Sequence, residues 1–282
     1  MRWAWFTQSR AQTAQPMWNP SQVPRFFRPM ACGPQDLQEK AIDIHHRLCA
    51  VYGCPIPYFH SYDPLSELIS SLLSHRTRNA DSGRAYTALE ARYPDWVAVR
   101  DAPAEDIEAT IEGVTWPEQK APRIQAVLRT ITERCGELSL DFLGDMSVSE
   151  ARAWLQSITG IGPKTSAAVL AFSTLRKAAL PVDSHHHRVA QRTGLIPLSL
   201  GVGPAHAVLA AQLPPDWDAQ AVYDNHQVLM LHGQRVCFFT NPACNRCVLL
   251  DLCPTGQARM QGSHTAPHAN TELTRLHRRG AT

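Results

Sequence analysis

An all-α fold is what this sequence predicts, on three observations. No stretch alternates apolar and polar residues as a half-buried strand does. Apolar side chains recur at three- and four-residue spacing, and prolines, glycines and capping residues punctuate those stretches where helices start and stop. Helices are expected at about 35–52, 64–76, 81–92, 104–112, 117–135, 148–158, 163–174, 184–192, 203–212 and 218–233.

Asp63-Pro64 opens the second of these. Leu65, Leu68, Ile69, Leu72 and Leu73 follow at i, i+3, i+4, i+7 and i+8, a broad apolar stripe that ends in Ser74-His75-Arg76-Thr77-Arg78-Asn79. Ser147, three residues before Glu150, offers a capping box to the 148–158 helix, whose Trp154, Leu155 and Ile158 face a core. Gly160 and Gly162 break that helix and are both expected to allow positive φ, and Pro163 suits the first position of a new one. Asp183 is placed to cap a helix running through His186, Val189 and Ala190.

The chain has 282 residues, enough for one large or two modest cores. No window approaches 18 consecutive apolar residues, which excludes an ordinary transmembrane helix. The net charge is only +2, divided as +4 over residues 1–35, −5 over 36–256 and +3 over 257–282. Overall basicity is therefore no argument for nucleic acid. Local cations at Arg76, Arg78, Lys164, Arg188, Arg192 and Arg246 are. Residues 1–34 are expected to be a disordered leader without a secretory apolar core, and 257–282 a flexible basic tail.

Eight cysteines divide into two groups. Cys32, Cys49, Cys54 and Cys135 are scattered and expected to be reduced thiols, as suits the cytoplasm. Cys237, Cys244, Cys247 and Cys253 read C-x6-C-x2-C-x5-C within 17 residues. That is the right number for a tetrahedral zinc or an iron–sulfur cluster. A single CxxC between wider gaps favours the bulkier group.

Two further positions carry chemistry. Gly160-Ile161-Gly162, running into Pro163-Lys164-Thr165, places side-chain-free backbone at a helix N-terminus, where amides can approach a phosphate. Lys164, at that positive end, is either a phosphate contact or an amine whose charge is disfavoured enough to make it a nucleophile. His185-His186-His187 do not form a chelate, because adjacent helical residues point about 100° apart.

Three stretches carry a resemblance. His232-Gly233-Gln234-Arg235-Val236-Cys237 with Pro242-Ala243-Cys244-Asn245-Arg246-Cys247 and Asp251-Leu252-Cys253 resembles the cluster loop of the endonuclease III family of DNA glycosylases. Leu155-Gln156-Ser157-Ile158-Thr159-Gly160-Ile161-Gly162-Pro163-Lys164-Thr165 resembles that family's helix-hairpin-helix, and Val182-Asp183-Ser184-His185 its V-D-T-H segment.

The resemblance covers residues 35–256 and implies a two-lobed all-α DNA glycosylase fold. A helical barrel would span 58–172, with the hairpin at about 148–174, and an iron–sulfur lobe would combine 35–57 with 173–256. It implies a [4Fe-4S] cluster on the four cysteines, with Lys164 as Schiff-base nucleophile and Asp183 as essential carboxylate. DNA contacts would come from Arg76, Gly160, Ile161, Gly162, Thr165, His185 and Arg246. Arg76 stands where glutamine is common, a departure that bears on opposite-base preference.

The implied activity is excision of oxidised pyrimidines from double-stranded DNA, with strand cleavage at the abasic site, by a cytoplasmic monomer that needs no membrane. A monofunctional uracil- or thymine-mismatch glycosylase and a non-catalytic iron–sulfur DNA-binding protein are the alternatives. Members of the first usually lack a lysine at position 164, and the second would have no use for Lys164 and Asp183 together.

Overall fold

The computed structural model describes residues 34–264; residues 1–33 of the expected leader and 265–282 of the expected tail lie outside the described residues, and Pro34, expected in the leader, begins the first helix. Twelve α-helices follow in order: α1 (Pro34–Tyr52), α2 (Pro64–Ser74), α3 (Asn79–Arg92), α4 (Trp96–Asp101), α5 (Ala104–Thr110), α6 (Pro117–Cys135), α7 (Val148–Gln156), α8 (Pro163–Phe172), α9 (Ser184–Thr193), α10 (Val202–Ala210), α11 (Ala219–Arg235) and α12 (Pro254–His264). No strand occurs among the described residues.

Local chemistry accounts for the starts. The Asp63 carboxylate caps α2 by accepting from the Leu65 and Ser66 amides, the Ser147–Glu150 capping box opens α7, and Asp183 and Asp218 cap α9 and α11. Apolar burial then assembles two cores. One is contiguous in sequence, from Leu65 to Ala179, and packs α2 to α8 around Leu68, Leu128, Leu155 and Leu170. The other takes Ala41, Ile44 and Leu48 from α1 and joins them to Leu180, Val189, Leu229 and Leu249, far along the chain.

Helix α8 lies on the seam. Its Ala167, Val169 and Leu170 belong to the first core, while Ala168, Ala171 and Phe172 pack with Tyr223 of α11. Ten residues are too few to hold a helix in water unaided, so contact on both flanks is what orders α8. Helices α9 and α11 approach so closely that a Cβ at Gly233 would stand 2.8 Å from the His185 Cβ and 3.0 Å from its carbonyl oxygen. Only glycine fits there.

Several expectations need correction. Helix α2 ends at Ser74, not 76: the buried Lys120 donates to the Leu73 carbonyl (2.6 Å) and to Thr77 Oγ1 (2.7 Å), closing the helix by side-chain capping. Residues 257–264 of the expected tail fall in α12, which starts at Pro254 and packs on α9; with Ala258 and Met260 as its apolar residues, no periodic stripe announces it. Short α4 was likewise silent, although Asp95 caps it. Cys49 and Cys54 are not thiols but a disulfide, because the chain folds back just after α1 and sets their Cα atoms 5.1 Å apart. Cys135 is free, and Cys32 lies outside the described residues. No described helix is long and apolar enough to cross a membrane.

Leu128, fully buried far from the seam's chemistry, tests the first core. Leu128→Ala should cost about 2–5 kcal/mol, read as a lower urea midpoint at unchanged slope.

Candidate active site

The hairpin between α7 and α8 is built as a backbone platform. Gly160 turns with φ +97°, Ile161 is buried in the first core as an anchor, and Gly162 precedes Pro163 as the N-cap of α8. Gly162 is extended (φ −97°, ψ −178°), so positive φ is required at Gly160 alone. A Cβ on Gly162 would meet no protein atom, and Gly160 is exposed, so the platform opens outward. Thr165 sits partly exposed in the first turn of α8, where amides lack intrahelical acceptors. The exposed Arg123 of α6 lies beside Gly160; nothing in the local sequence linked it to the hairpin.

Lys164 occupies the second position of α8. Its surface is partly open to solvent, yet protein surrounds it closely enough that desolvation holds its amine below the ordinary lysine value, against the opposing pull of Glu67 and Asp183. The expected pair is thus brought within electrostatic reach. Asp183, the N-cap of α9, accepts from the His186 amide at 2.7 Å. Burial raises its carboxyl, but His226 and the His186 amide outweigh burial and keep it below the usual carboxylate range. The carboxylate is therefore charged at neutral pH. Beneath it the imidazoles of His186 and His226 stack with ring centres 5.8 Å apart.

The three consecutive histidines diverge as expected. His186 is buried, His187 Nε2 meets the Leu200 carbonyl at 2.8 Å, and part-buried His185 lies against Gly233 with its Nδ1 3.1 Å from Arg188.

Arg76 projects from the turn after α2. Its backbone is left-handed (φ 53°), its carbonyl accepts from Thr115 Oγ1 at 3.0 Å, and its guanidinium lies 5.6 Å from the ring centre of Trp116. Trp116 is itself left-handed (φ 57°) and 43% exposed. Each such non-glycine residue costs on the order of 1–3 kcal/mol and persists only where its surroundings fix it. Sequence reading missed Trp116; the available signal was a tryptophan directly before a helix-starting proline. Arg76, Lys120, Arg123 and Lys164 all bear on His75, which burial first and these charges second hold below its ordinary value. Arg76 and Arg123 are exposed there, a local cationic patch beside His75 and Gly160 in a chain of nearly zero net charge.

The four C-terminal cysteines are free and line one pocket that opens partly to solvent. Among the described residues no three His, Cys, Asp or Glu side chains close on a point as the ligands of a single ion would. As a donor set, four thiols lining one pocket suit a tetrahedral zinc or an iron–sulfur cluster. Burial pushes the Cys247 thiol up to about 11 and raises Cys253, so the thiolates need a cation to form. Donors are in place: Arg192 Nη1 lies 3.3 Å from Cys237 Sγ and the Gly256 amide 3.2 Å from Cys253 Sγ. Arg246 is exposed on this loop and donates to the Arg235 carbonyl.

Comparison with known proteins gives three findings. Residues 69–199 match the model of the HhH-GPD superfamily of base excision DNA repair proteins. The chain is 30% identical to endonuclease III of Thermotoga maritima over 201 residues, 71% of this chain and 87% of that protein. It is 29% identical to a putative DNA glycosylase of Arabidopsis thaliana over 194 residues, 69% of this chain but only 64% of the plant protein. Its fold superposes on that of an endonuclease III trapped as a covalent intermediate on DNA, with a TM-score of 0.66 and 21% identity, covering 82% of this chain and all of the other.

The buried histidine pair has a pH signature. Desolvation lowers His186 to about 3 and His226 to about 4, from an ordinary 6.5. As pH falls below 6.5 the unfolded chain takes up protons that the folded one refuses, so their contribution to stability is full above 6.5 and is lost on the way down to about 4. Urea midpoints should drop between pH 7.5 and 4.5, and His226→Gln should flatten that drop.

Proposed function

The chain belongs to the HhH-GPD superfamily of base excision DNA repair proteins, has the endonuclease III fold and is a DNA glycosylase; within that frame we propose that it excises oxidised pyrimidines from duplex DNA and cleaves the abasic strand, with Lys164 as nucleophile and Asp183 as its assisting carboxylate. The observation that carries this reading is Lys164 itself: an amine at the first turn of α8, desolvated, in electrostatic reach of a charged Asp183.

Duplex DNA hides the sugar C1′ and the base, so the nucleotide must leave the stack, at a cost of a few kcal/mol. Arg76 and Trp116 stand together at the rim to fill the space left behind, as a planar cation stacked on an aromatic ring. The backbone amides of the hairpin and the exposed Arg123 beside it hold the phosphates.

Neutral Lys164 Nζ attacks C1′. The C1′–N bond breaks, its electron pair leaves with the base, and the base takes up a proton. Asp183 stabilises positive charge developing on the sugar as that bond lengthens. Loss of the ring oxygen's bond to C1′ gives an imine. Removal of a C2′ proton then expels the 3′ phosphate. Desolvation is what makes the first step possible at neutral pH, where an ordinary lysine is almost wholly ammonium.

The four cysteines fit a [4Fe-4S] cluster held by Cys237, Cys244, Cys247 and Cys253, which when bound would tie the loop into one unit and do no bond-making. The protein's own residues then transmit that order: Arg188 bridges the Cys237 and Gly233 carbonyls, and Arg192 binds the Phe238 and Phe239 carbonyls, both from α9, the helix that Asp183 begins.

Borohydride trapping on duplexes containing an abasic site, thymine glycol or uracil tests the chemistry. A covalent complex is expected with the wild type, abolished in Lys164→Gln and slowed about 10²–10⁴-fold in Asp183→Asn. Intact DNA binding without trapping would move the protein to a monofunctional glycosylase. Iron analysis of the purified protein should give about four irons per chain. Cys244→Ser should lower that content, the thermal midpoint and DNA affinity together; unchanged values would refute the structural cluster.

A further inference from the structure

Helix α2 brings a second carboxylate to the seam. Glu67 is 3% exposed, one helical turn before Ser71, whose hydroxyl donates to Glu67 Oε1 at 2.9 Å. His60 Nε2 stands 2.9 Å from Oε2, an ion-pair distance without hydrogen-bond alignment, so that Oε2 has no well-directed donor. The far nitrogen of the same ring, Nδ1, also lacks a partner. A buried carboxylate with one oxygen satisfied and the other poorly served is costly unless a positive charge lies near. Helix α2 packs directly on α8, and Lys164 is the cation that α8 supplies. Arg176, the other cation that feels Glu67, is committed elsewhere: it donates to the Phe172 and His60 carbonyls and lies over Tyr58.

We propose that Glu67 is a positioning residue for Lys164, a second carboxylate beside Asp183 that holds the amine in the cleft and sets the pH at which it becomes a free nucleophile. The inference rests on Lys164 being the nucleophile. The division of labour is physical. Desolvation alone would leave Lys164 neutral but unanchored. Asp183 already has one oxygen engaged by the His186 amide. Glu67 has Ser71 against one oxygen and His60 against the other, and acts on Lys164 through its charge.

The other groups facing Lys164 are accounted for. They are His75 after α2, His206 of α10, His226 of α11 and Asp183. All three imidazoles are held below their ordinary values, first by burial, and are neutral at neutral pH. Arg152 of α7 bears on His206. The carboxylates Glu67 and Asp183 are the groups among these that favour the ammonium form.

The test is the pH profile of borohydride trapping on an abasic duplex. Glu67→Gln removes a charge that favours ammonium, so the acidic limb should move down by about one pH unit, the low end for a close opposite charge. Glu67→Asp keeps the charge and should return the limb toward wild type. A limb that stays in place while the rate falls would reduce Glu67 to a structural role and overturn the proposal.

A second readout needs no lyase activity: the pH dependence of reductive methylation of Lys164 in the full-length protein, followed by mass spectrometry. Should the wild type not trap at any pH, a downward shift in this titration in Glu67→Gln would uphold the pairing while the lyase reading fails. An unchanged titration would sink the pairing itself.

Discussion

Everything at the seam depends on one opposition: burial drives the charge off Lys164, and buried carboxylates draw it back. Neither pull is useful alone. A lysine left in water stays protonated and unreactive, and one simply buried would seek solvent along its flexible stem. Held between desolvation and carboxylate, the amine binds its proton less tightly than an ordinary lysine does. Helix α8 packs on both its flanks, which keeps Lys164 within electrostatic reach of Glu67 and Asp183.

The hairpin and the cysteine loop look like separate modules, yet both act on the same geometry. The hairpin fixes α8 through the buried Ile161 and the left-handed Gly160. The cysteine loop fixes α9 through Arg188 and Arg192, which grip its carbonyls from the helix that Asp183 caps. Close contact of α9 with Gly233 leaves that helix little freedom to slide. The cysteine loop, through these two arginines, therefore bears on where the Asp183 carboxylate stands.

Much of this was legible in the chain. Periodicity and caps announced α2, α7, α8 and α9, and the spacing of the four cysteines announced a shared site. Lys164 and Asp183 were readable because each sits in a run with its own local logic. What escaped was set by contacts between remote segments. Lys120 ends α2 from 47 positions away, Arg123 reaches Gly160 across two helices, and Glu67 looks in sequence like any polar residue in an amphipathic helix. The reduced state expected for Cys49 and Cys54 failed for a related reason, because a turn that returns the chain on itself leaves no periodic trace. Helix α12 is too poor in apolar residues to be seen before its partner α9 is known.

The divided second core has a consequence for how the molecule comes into being. Ala41, Ile44 and Leu48 of α1 are synthesised early, but the side chains that cover them begin only at Leu180. Through most of translation that apolar stripe has no native partner, while the contiguous first core can close from local contacts. Of the described helices, the first made is thus among the last to be buried. During that interval the nascent chain displays a greasy helix, a natural foothold for a chaperone and a hazard where ribosomes are crowded.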